Sequence, residues 1–178
     1  MKSLTVNFYL VIVLMIASCL ALTSCLNSGQ NSISEISQLD QKKAEAIKTV
    51  NEIFENAKYN TGGIRSILKS AKKASANFDT YVYLAQMASE FGYHTVAFVK
   101  IARYASTAKV ETDYFRQLAD LSVMKLSETL SIVDLAKEVS KLRISTNPKL
   151  DNKIREMRET ANFKTLEEAR LYNSKLVN

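Results

Sequence analysis

The amino-acid sequence predicts an all-α protein made of antiparallel helical hairpins. The chain of 178 residues contains one proline and four glycines, so few residues interrupt a helix. Apolar residues recur at spacings of three and four along most of the chain after residue 35, which is typical of amphipathic helices. The chain also matches itself when it is shifted by 34 residues, and this internal repeat groups the helices in pairs.

The first 25 residues have the pattern of an export signal. One lysine precedes an uncharged apolar run over residues 8–25, which ends in Leu22-Thr23-Ser24-Cys25. A basic start, an apolar run and small residues at the end are typical of a secretory signal. This ending resembles the lipobox of bacterial lipoproteins. The resemblance implies that residues 1–24 are removed and that Cys25 becomes the lipidated, membrane-anchored first residue.

Two alternatives to this anchor stay open. The segment from Leu4 to Leu22 is nearly as long as the about 20 apolar residues that a transmembrane helix needs, so an uncleaved anchor also fits. A second ending, Ile16-Ala17-Ser18-Cys19, matches the lipobox too, but cleavage there would leave apolar residues in the tether. We favour Cys25.

The lipoprotein resemblance implies three segments and a location. Residues 1–24 form the signal peptide, residues 25–34 the lipidated N-terminus and flexible tether, and residues 35–178 a single α-helical domain. In sorted lipoproteins an aspartate after the lipidated cysteine marks inner-membrane retention, and this chain has Leu26 there. We therefore expect the outer membrane, on its periplasmic face or at the cell surface.

The first half of the domain is predicted to contain four helices. The first runs from Glu35 to Tyr59, and the turn 60–63 with its two glycines ends it. A shorter amphipathic helix follows over residues 64–73. Asn77 and Asp79 are helix-start signals for a third helix ending at Phe91, and Gly92 separates it from a fourth over residues 95–107. The last two are the most apolar part of the domain, so we expect the centre of the core there.

The second half begins with a long helical stretch from Asp113 to Arg143. It is either one helix or two, because Ser127, Thr129 and Ser131 are weak helix formers that can interrupt it. Residues 147–148, Asn-Pro, predict an N-cap followed by the first residue of another helix, which extends to about residue 161. The segment 165–168, Thr-Leu-Glu-Glu, predicts a capping box that starts a last helix.

The internal repeat resembles the tetratricopeptide family. The best unit has Tyr81, Leu84, Ala85 and Ala88 at the family's first spacings, followed by Ala97 and Ile101 at the spacing of its Ala-x3-Phe pair. The resemblance implies units over residues 45–78, 79–112 and 113–146, stacked into a short superhelix that exposes a face for a peptide or helix of a partner. The alternative is an irregular bundle of similar hairpins. The residue types match the family only in part, and its closing proline is absent.

Positive charge is concentrated in residues 61–109. Seven basic and two acidic residues give this block +5, out of a net +6 for the whole chain. An excess of positive charge attracts an anionic partner or lipid headgroups. A solvated face explains the same pattern, and we do not expect nucleic acid to bind an exported lipoprotein. The candidate basic surface consists of Arg65, Lys69, Lys72, Lys73, Lys100 and Arg103.

The sequence predicts a non-enzymatic protein without a cofactor or metal. Its two cysteines, at positions 19 and 25, fall in the signal and at the lipidation site, so the domain has no thiol for catalysis or metal binding. The single histidine, His94, lies at a predicted helix start, where a surface position is expected. Hydrolase and phosphate-loop motifs are absent from the sequence.

Three functions are compatible with these features. We favour an interaction or assembly module of the cell envelope, of the kind found in secretion, pilus or conjugation machinery. A surface-exposed or exclusion-type lipoprotein that binds an external or host factor is the alternative. A cell-wall hydrolase is the third, because carboxylates distant in the sequence can still form a catalytic pair.

Overall fold

The computed structural model describes residues 36–125 and 129–177. Within these ranges the secondary structure is helical. Contacts divide the chain into two units, residues 1–42 and 43–178. Of the first unit, residues 36–42 are described, and they are helical. The predicted signal peptide (1–24), the predicted lipidation site Cys25 and the predicted tether lie outside the described residues.

Eight α-helices are described, which confirms the all-α prediction. Their bounds are α1 (36–56), α2 (Thr61–Lys73), α3 (Phe78–Glu90), α4 (Thr95–Ala105), α5 (Tyr114–Met124), α6 (Thr129–Val139), α7 (Pro148–Glu159) and α8 (Leu166–Val177). A short 3₁₀ turn, Gly92–His94, lies at the predicted break between α3 and α4.

The helices of the second unit pack in two layers. Helix α4 contacts both α2 and α6, and these three form one layer. Helix α5 contacts both α3 and α7, which form the other layer. Helix α3 also packs against α2 and α4, and α5 against α4 and α6, so consecutive helices from α2 to α6 face each other across the layers. This is the arrangement of successive helical hairpins.

The same positions are buried in each helix of the first layer. Helices α2, α4 and α6 begin 34 residues apart, at residues 61, 95 and 129. The buried side chains that recur at this spacing are Ile64, Phe98 and Ile132, then Ile67, Ile101 and Leu135, then Ala71, Ala105 and Val139. Equivalent positions of the three helices are therefore buried in the core, as the 34-residue repeat in the sequence predicts.

The predicted centre of the core is confirmed for α3 and α4. Tyr81, Leu84, Phe91, Phe98 and Ile101 are fully buried, and the hydrophobic cluster around them extends from α1 to α8. Aromatic and branched side chains of this size contribute about 1.5–3 kcal/mol each when buried. The apolar composition of this segment therefore marks the place where the hairpins meet.

Some apolar residues of the helices are exposed, although apolar residues at helical spacing predict buried faces. Val96 is 64% exposed and Leu130 is 74% exposed, although both lie within amphipathic patterns. Ile36 and Leu39 of α1 are also exposed.

The structure decides between the two alternatives for residues 113–143, and it shows that the turn predicted at residues 60–63 is wrong. The stretch from residue 113 to 143 is two helices, α5 and α6, so the prediction of a break is confirmed and that of one long helix is wrong. The two glycines at 62–63 do not form a turn; they lie in the first turn of α2. A Cβ at Gly63 would overlap the side chain of Thr95, so this glycine permits the close approach of α2 to α4.

The predicted starts of α7 and α8 are confirmed. The side chain of Asn147 accepts hydrogen bonds from the backbone N–H groups of Lys149 and Leu150, and Pro148 is the first helical residue. Thr165 accepts a bond from the N–H of Glu168 (3.2 Å) at the start of α8. Among the described helices, none is long and apolar enough to cross a membrane.

Candidate functional site

The predicted basic surface lies on two helices that contact each other. Four of its side chains project from α2 and two from α4, and all six are exposed. The guanidinium of Arg65 lies 5.1 Å from the ring centroid of Phe54 in α1, a cation–π contact that holds one of the six in place. None of the other five forms an ion pair with another described residue. Their charges are therefore available to an anionic partner.

The predicted lipidation site, Cys25, lies outside the described residues, so its surroundings stay a prediction from the sequence. His94, expected at the surface, is half-buried, with its ring 6.5 Å from that of Phe98. Burial lowers the pKa of His94 below its usual value. Within residues 36–125 and 129–177, no group of three or more His, Cys, Asp or Glu side chains could hold a metal ion.

The structure also contains a cavity of about 430 Å³ that the sequence did not indicate. It lies where the starts of α3, α5 and α7 come together. Four carboxylates and one guanidinium line it, so its charge is opposite to that of the basic surface. Its lining residues are Asn77, Asp79, Thr80, Glu111, Thr112, Asp113, Tyr114, Arg116, Gln117, Ser145, Thr146 and Asp151.

Asn77 forms one wall of this cavity by joining two hairpins. Its side-chain amide donates to the carbonyl of Val110 (3.0 Å), and its carbonyl accepts from the N–H of Thr112 (2.8 Å). The hydroxyl of Thr112 in turn donates to the carbonyl of Ser145 (2.9 Å). Asn77 directly precedes α3, so the predicted helix-start signal is confirmed, but its side chain connects successive turns and does not cap the helix. Its backbone adopts the left-handed conformation, with φ 60°, which asparagine tolerates better than most residues.

Tyr114 forms the opposite wall and ties α5 to α7. Its hydroxyl donates to the carboxylate of Asp151 (2.6 Å) and accepts from the backbone N–H of Asn147 (2.6 Å). Burial raises the pKa of Tyr114, and the bond to Asp151 raises it further. This hydroxyl therefore stays protonated at neutral pH and has a structural role.

A second polar cluster joins α3 to α5. The hydroxyl of Tyr83 donates to the carboxylate of Asp120, and the guanidinium of Arg116 lies 5.1 Å from the Tyr83 ring centroid. Burial is the largest cause of the raised pKa of both Tyr83 and Asp120. The charges of Arg158 and Arg116 and the Tyr83 bond act in the opposite direction on Asp120. The α3, α5 and α7 layer thus presents tyrosines, carboxylates and arginines.

Sequence reasoning missed both tyrosine–carboxylate pairs, although a spacing signal exists. Tyr83 and Asp120 are 37 residues apart, and so are Tyr114 and Asp151. In a chain with a 34-residue repeat, this separation places a side chain one helical turn further along the next hairpin. Applied to polar residues, the repeat would have suggested both pairs.

Comparisons with protein-family models, with curated proteins and with solved structures found no match to this chain. The resemblances to bacterial lipoproteins and to tetratricopeptide repeats therefore stay predictions that the residues of this chain carry by themselves.

Proposed function

We propose that this protein is a membrane-anchored helical lipoprotein that acts as a protein–protein interaction or assembly module of the cell envelope. One observation carries the proposal: hairpins of equivalent packing follow one another, with buried positions that recur every 34 residues in α2, α4 and α6. Stacked hairpins of this kind provide extended surfaces on which proteins bind peptides or helices of their partners. The recurrence supports a short tetratricopeptide-like superhelix.

The anchor places this module at a membrane. In our proposal Cys25 carries a diacylglyceryl group, because two or more acyl chains bind a bilayer stably whereas one does not. The tether 25–34 is polar and small, which favours a flexible link between anchor and domain. The bilayer is then the first partner and a protein the second, with the outer membrane as the expected location.

Charge supports a protein partner with a complementary surface. The lysines of α2 and α4, which form no ion pair with another described residue, present positive charge, whereas the cavity at the starts of α3, α5 and α7 presents carboxylates. Opposite charges on separate surfaces accelerate association and fix the orientation of a partner. A machinery of several subunits offers such partners on more than one side.

Affinity capture from detergent-solubilised membranes tests this function. The tagged wild-type protein is compared with a variant in which Lys69, Lys72 and Lys100 are replaced by glutamate. Lys149→Glu, at an exposed position of α7, serves as the matched control. We expect a reproducible protein partner with the wild type and the control, and its loss with the triple variant if the basic surface is the contact.

Recovery of no reproducible partner in any of these captures would contradict the proposal. Protease treatment of intact cells then distinguishes the two locations. A protein cleaved from outside is exposed at the surface and fits the alternative of binding an external factor. A protected protein faces the periplasm and fits an assembly role.

A further inference from the structure

Helix α8 departs from the hairpin pattern of the rest of the domain. Each of α3 and α5 packs against the helix that follows it, but α8 packs on α5 rather than mainly on α7, its neighbour in the sequence. The segment before α8 is fixed to the end of α5, because the N–H of Phe163 donates to the carbonyl of Met124 (3.1 Å). Helix α8 therefore lies on the layer formed by α3, α5 and α7.

The contacts of α8 with α3 are polar and specific. The Nε of Arg170 donates to one carboxylate oxygen of Glu90 (2.6 Å) and its Nη2 to the other (3.3 Å). Asn173, one turn later, donates to the backbone carbonyl of Glu90 (3.2 Å) at the last residue of α3. An amide donor near a helix C-terminus forms a hydrogen bond with one of the carbonyls that has no partner in the helix. A cation there interacts favourably with the helix dipole.

Little apolar surface holds α8 in this position. Of its described side chains, from residue 166 to 175, Ala169 alone is fully buried, at 2% exposure. Leu166 is half-buried against the core and the ring of Tyr172 lies 5.2 Å from that of Phe163, whereas Leu171 is exposed. Helix α4, by comparison, buries five side chains: Ala97, Phe98, Ile101, Ala102 and Ala105. Among the described side chains, α8 thus buries fewer apolar residues than α4, and its ion pair with α3 is half-exposed, so α8 is displaced more readily than α4.

We propose that the surface of α3 and α5 beneath α8 is the docking site for a helix of the partner protein, and that α8 occupies it as an internal competitor. The contacts of α8 in this position show which side chains the surface binds. That chemistry is a small residue against α5, an arginine next to it for Glu90, and an amide donor three residues after the arginine. The inference rests on the proposed function, because it names the partner's binding element.

Competition by α8 has a measurable consequence. A ligand that binds only the open site has an apparent affinity reduced by the fraction of molecules in which α8 is displaced. Because α8 is attached to the chain, its effective concentration at the site is high. Weakening the attachment of α8 without altering the site should therefore increase the affinity for a helix supplied in trans.

The test uses the full mature protein and a fluorescent synthetic peptide with the sequence of residues 163–178. Peptide binding is measured by fluorescence anisotropy for the wild type, Arg170→Glu and Asn173→Ala. Both variants change α8 and leave Glu90 intact. The matched control is Lys153→Glu, which breaks another exposed ion pair, that of Lys153 with Glu138 (2.9 Å), between α7 and α6. Circular dichroism checks that every variant is folded.

We expect Arg170→Glu to bind the peptide about tenfold more tightly than the wild type, since a tenfold change corresponds to about 1.4 kcal/mol of lost competition. Asn173→Ala should shift the affinity in the same direction, and Lys153→Glu should bind as the wild type does. A charge exchange locates the site: Glu90→Arg protein should bind the Arg170→Glu peptide better than it binds the unchanged peptide.

Equal peptide affinity for the wild type, Arg170→Glu and Asn173→Ala would overturn the inference, and so would a failure of the charge exchange. Self-association of the wild type that the peptide reverses would assign the site to a second copy of this chain instead of a different partner. The capture of a partner from membranes distinguishes a failure of this inference from a failure of the proposed function. A captured partner without peptide binding contradicts this inference alone, and peptide binding without any captured partner contradicts the proposed function.

Discussion

Replacement of Asn77 tests how the hairpins are held together. Its side chain is 2% exposed and bonds to Val110 and Thr112, in the connection that leads to the next hairpin. Asn77→Ala removes both bonds and leaves a buried N–H and a carbonyl without their partner. It also places alanine at a φ of 60°, where its Cβ is strained.

The expected loss of stability is the sum of two effects, the unsatisfied polar groups and the backbone strain. A buried polar group left unsatisfied costs about 1–3 kcal/mol, and left-handed backbone costs a residue other than glycine or asparagine about 1–2 kcal/mol. We therefore expect Asn77→Ala to lower the free energy of unfolding by about 2–5 kcal/mol, a large share of the about 5–15 kcal/mol of a typical domain. Asn77→Gly also loses both bonds, but glycine is not strained at this φ. Its free energy of unfolding should therefore be about 1 kcal/mol higher than that of Asn77→Ala.

Thermal and urea unfolding, followed by far-ultraviolet circular dichroism, measures these differences. Asn60 is the matched control, because it has nearly the same backbone conformation (φ 59°) but its side chain forms a single hydrogen bond within the described part of the chain, to the carbonyl of Ala88 (3.2 Å). Asn60→Ala should therefore cost less than Asn77→Ala. Stabilities of Asn77→Ala and Asn77→Gly within about 0.5 kcal/mol of the wild type, as for surface substitutions, would refute the reasoning.

Three further predictions concern stability and are measured in the same unfolding experiments. Gly63→Ala should destabilise by about 1–3 kcal/mol because its Cβ overlaps Thr95, whereas Gly62→Ala, with open space around it, should stabilise by about 0.5–1 kcal/mol. Tyr81→Phe should raise stability by about 1 kcal/mol, because the buried Tyr81 hydroxyl has no hydrogen-bond partner among the described residues. Because burial lowers the pKa of His94 in the folded protein, the unfolded chain binds a proton more readily at this residue. The free energy of unfolding should therefore fall as the pH drops below about 6.5, the ordinary pKa of histidine. The variant His94→Gln should lose this pH dependence.

The fold class and the core were predictable because they depend on local patterns. Scarce glycine and proline indicate helices, and apolar residues at spacings of three and four indicate their buried faces. Ile67, Ile101 and Leu135 illustrate this, since all three occupy equivalent positions and all are buried. Val96 and Leu130 are apolar residues of the same helices yet are exposed, so an apolar residue type does not by itself mark a buried position.

The polar clusters were not predictable from local patterns. Tyr83 contacts Asp120, and Arg170 contacts Glu90, 80 residues away in the sequence. Such pairs depend on which helices become neighbours, and periodicity along one helix carries no information on that. The position of α8 on α5 is of the same kind, because its capping box marks where the helix begins and not where it packs.

The anchor at Cys25 is the central claim, because it places the interaction module at a membrane. Membrane fractionation combined with mass spectrometry of the mature N-terminus tests it directly, with Cys25→Ala and Cys19→Ala as the paired variants. We predict a wild-type chain that begins at a lipid-modified Cys25 and fractionates with membranes, an unprocessed precursor for Cys25→Ala, and no change for Cys19→Ala. A mature chain that begins at residue 19, or an unmodified Cys25 in a protein of precursor size, would contradict the account.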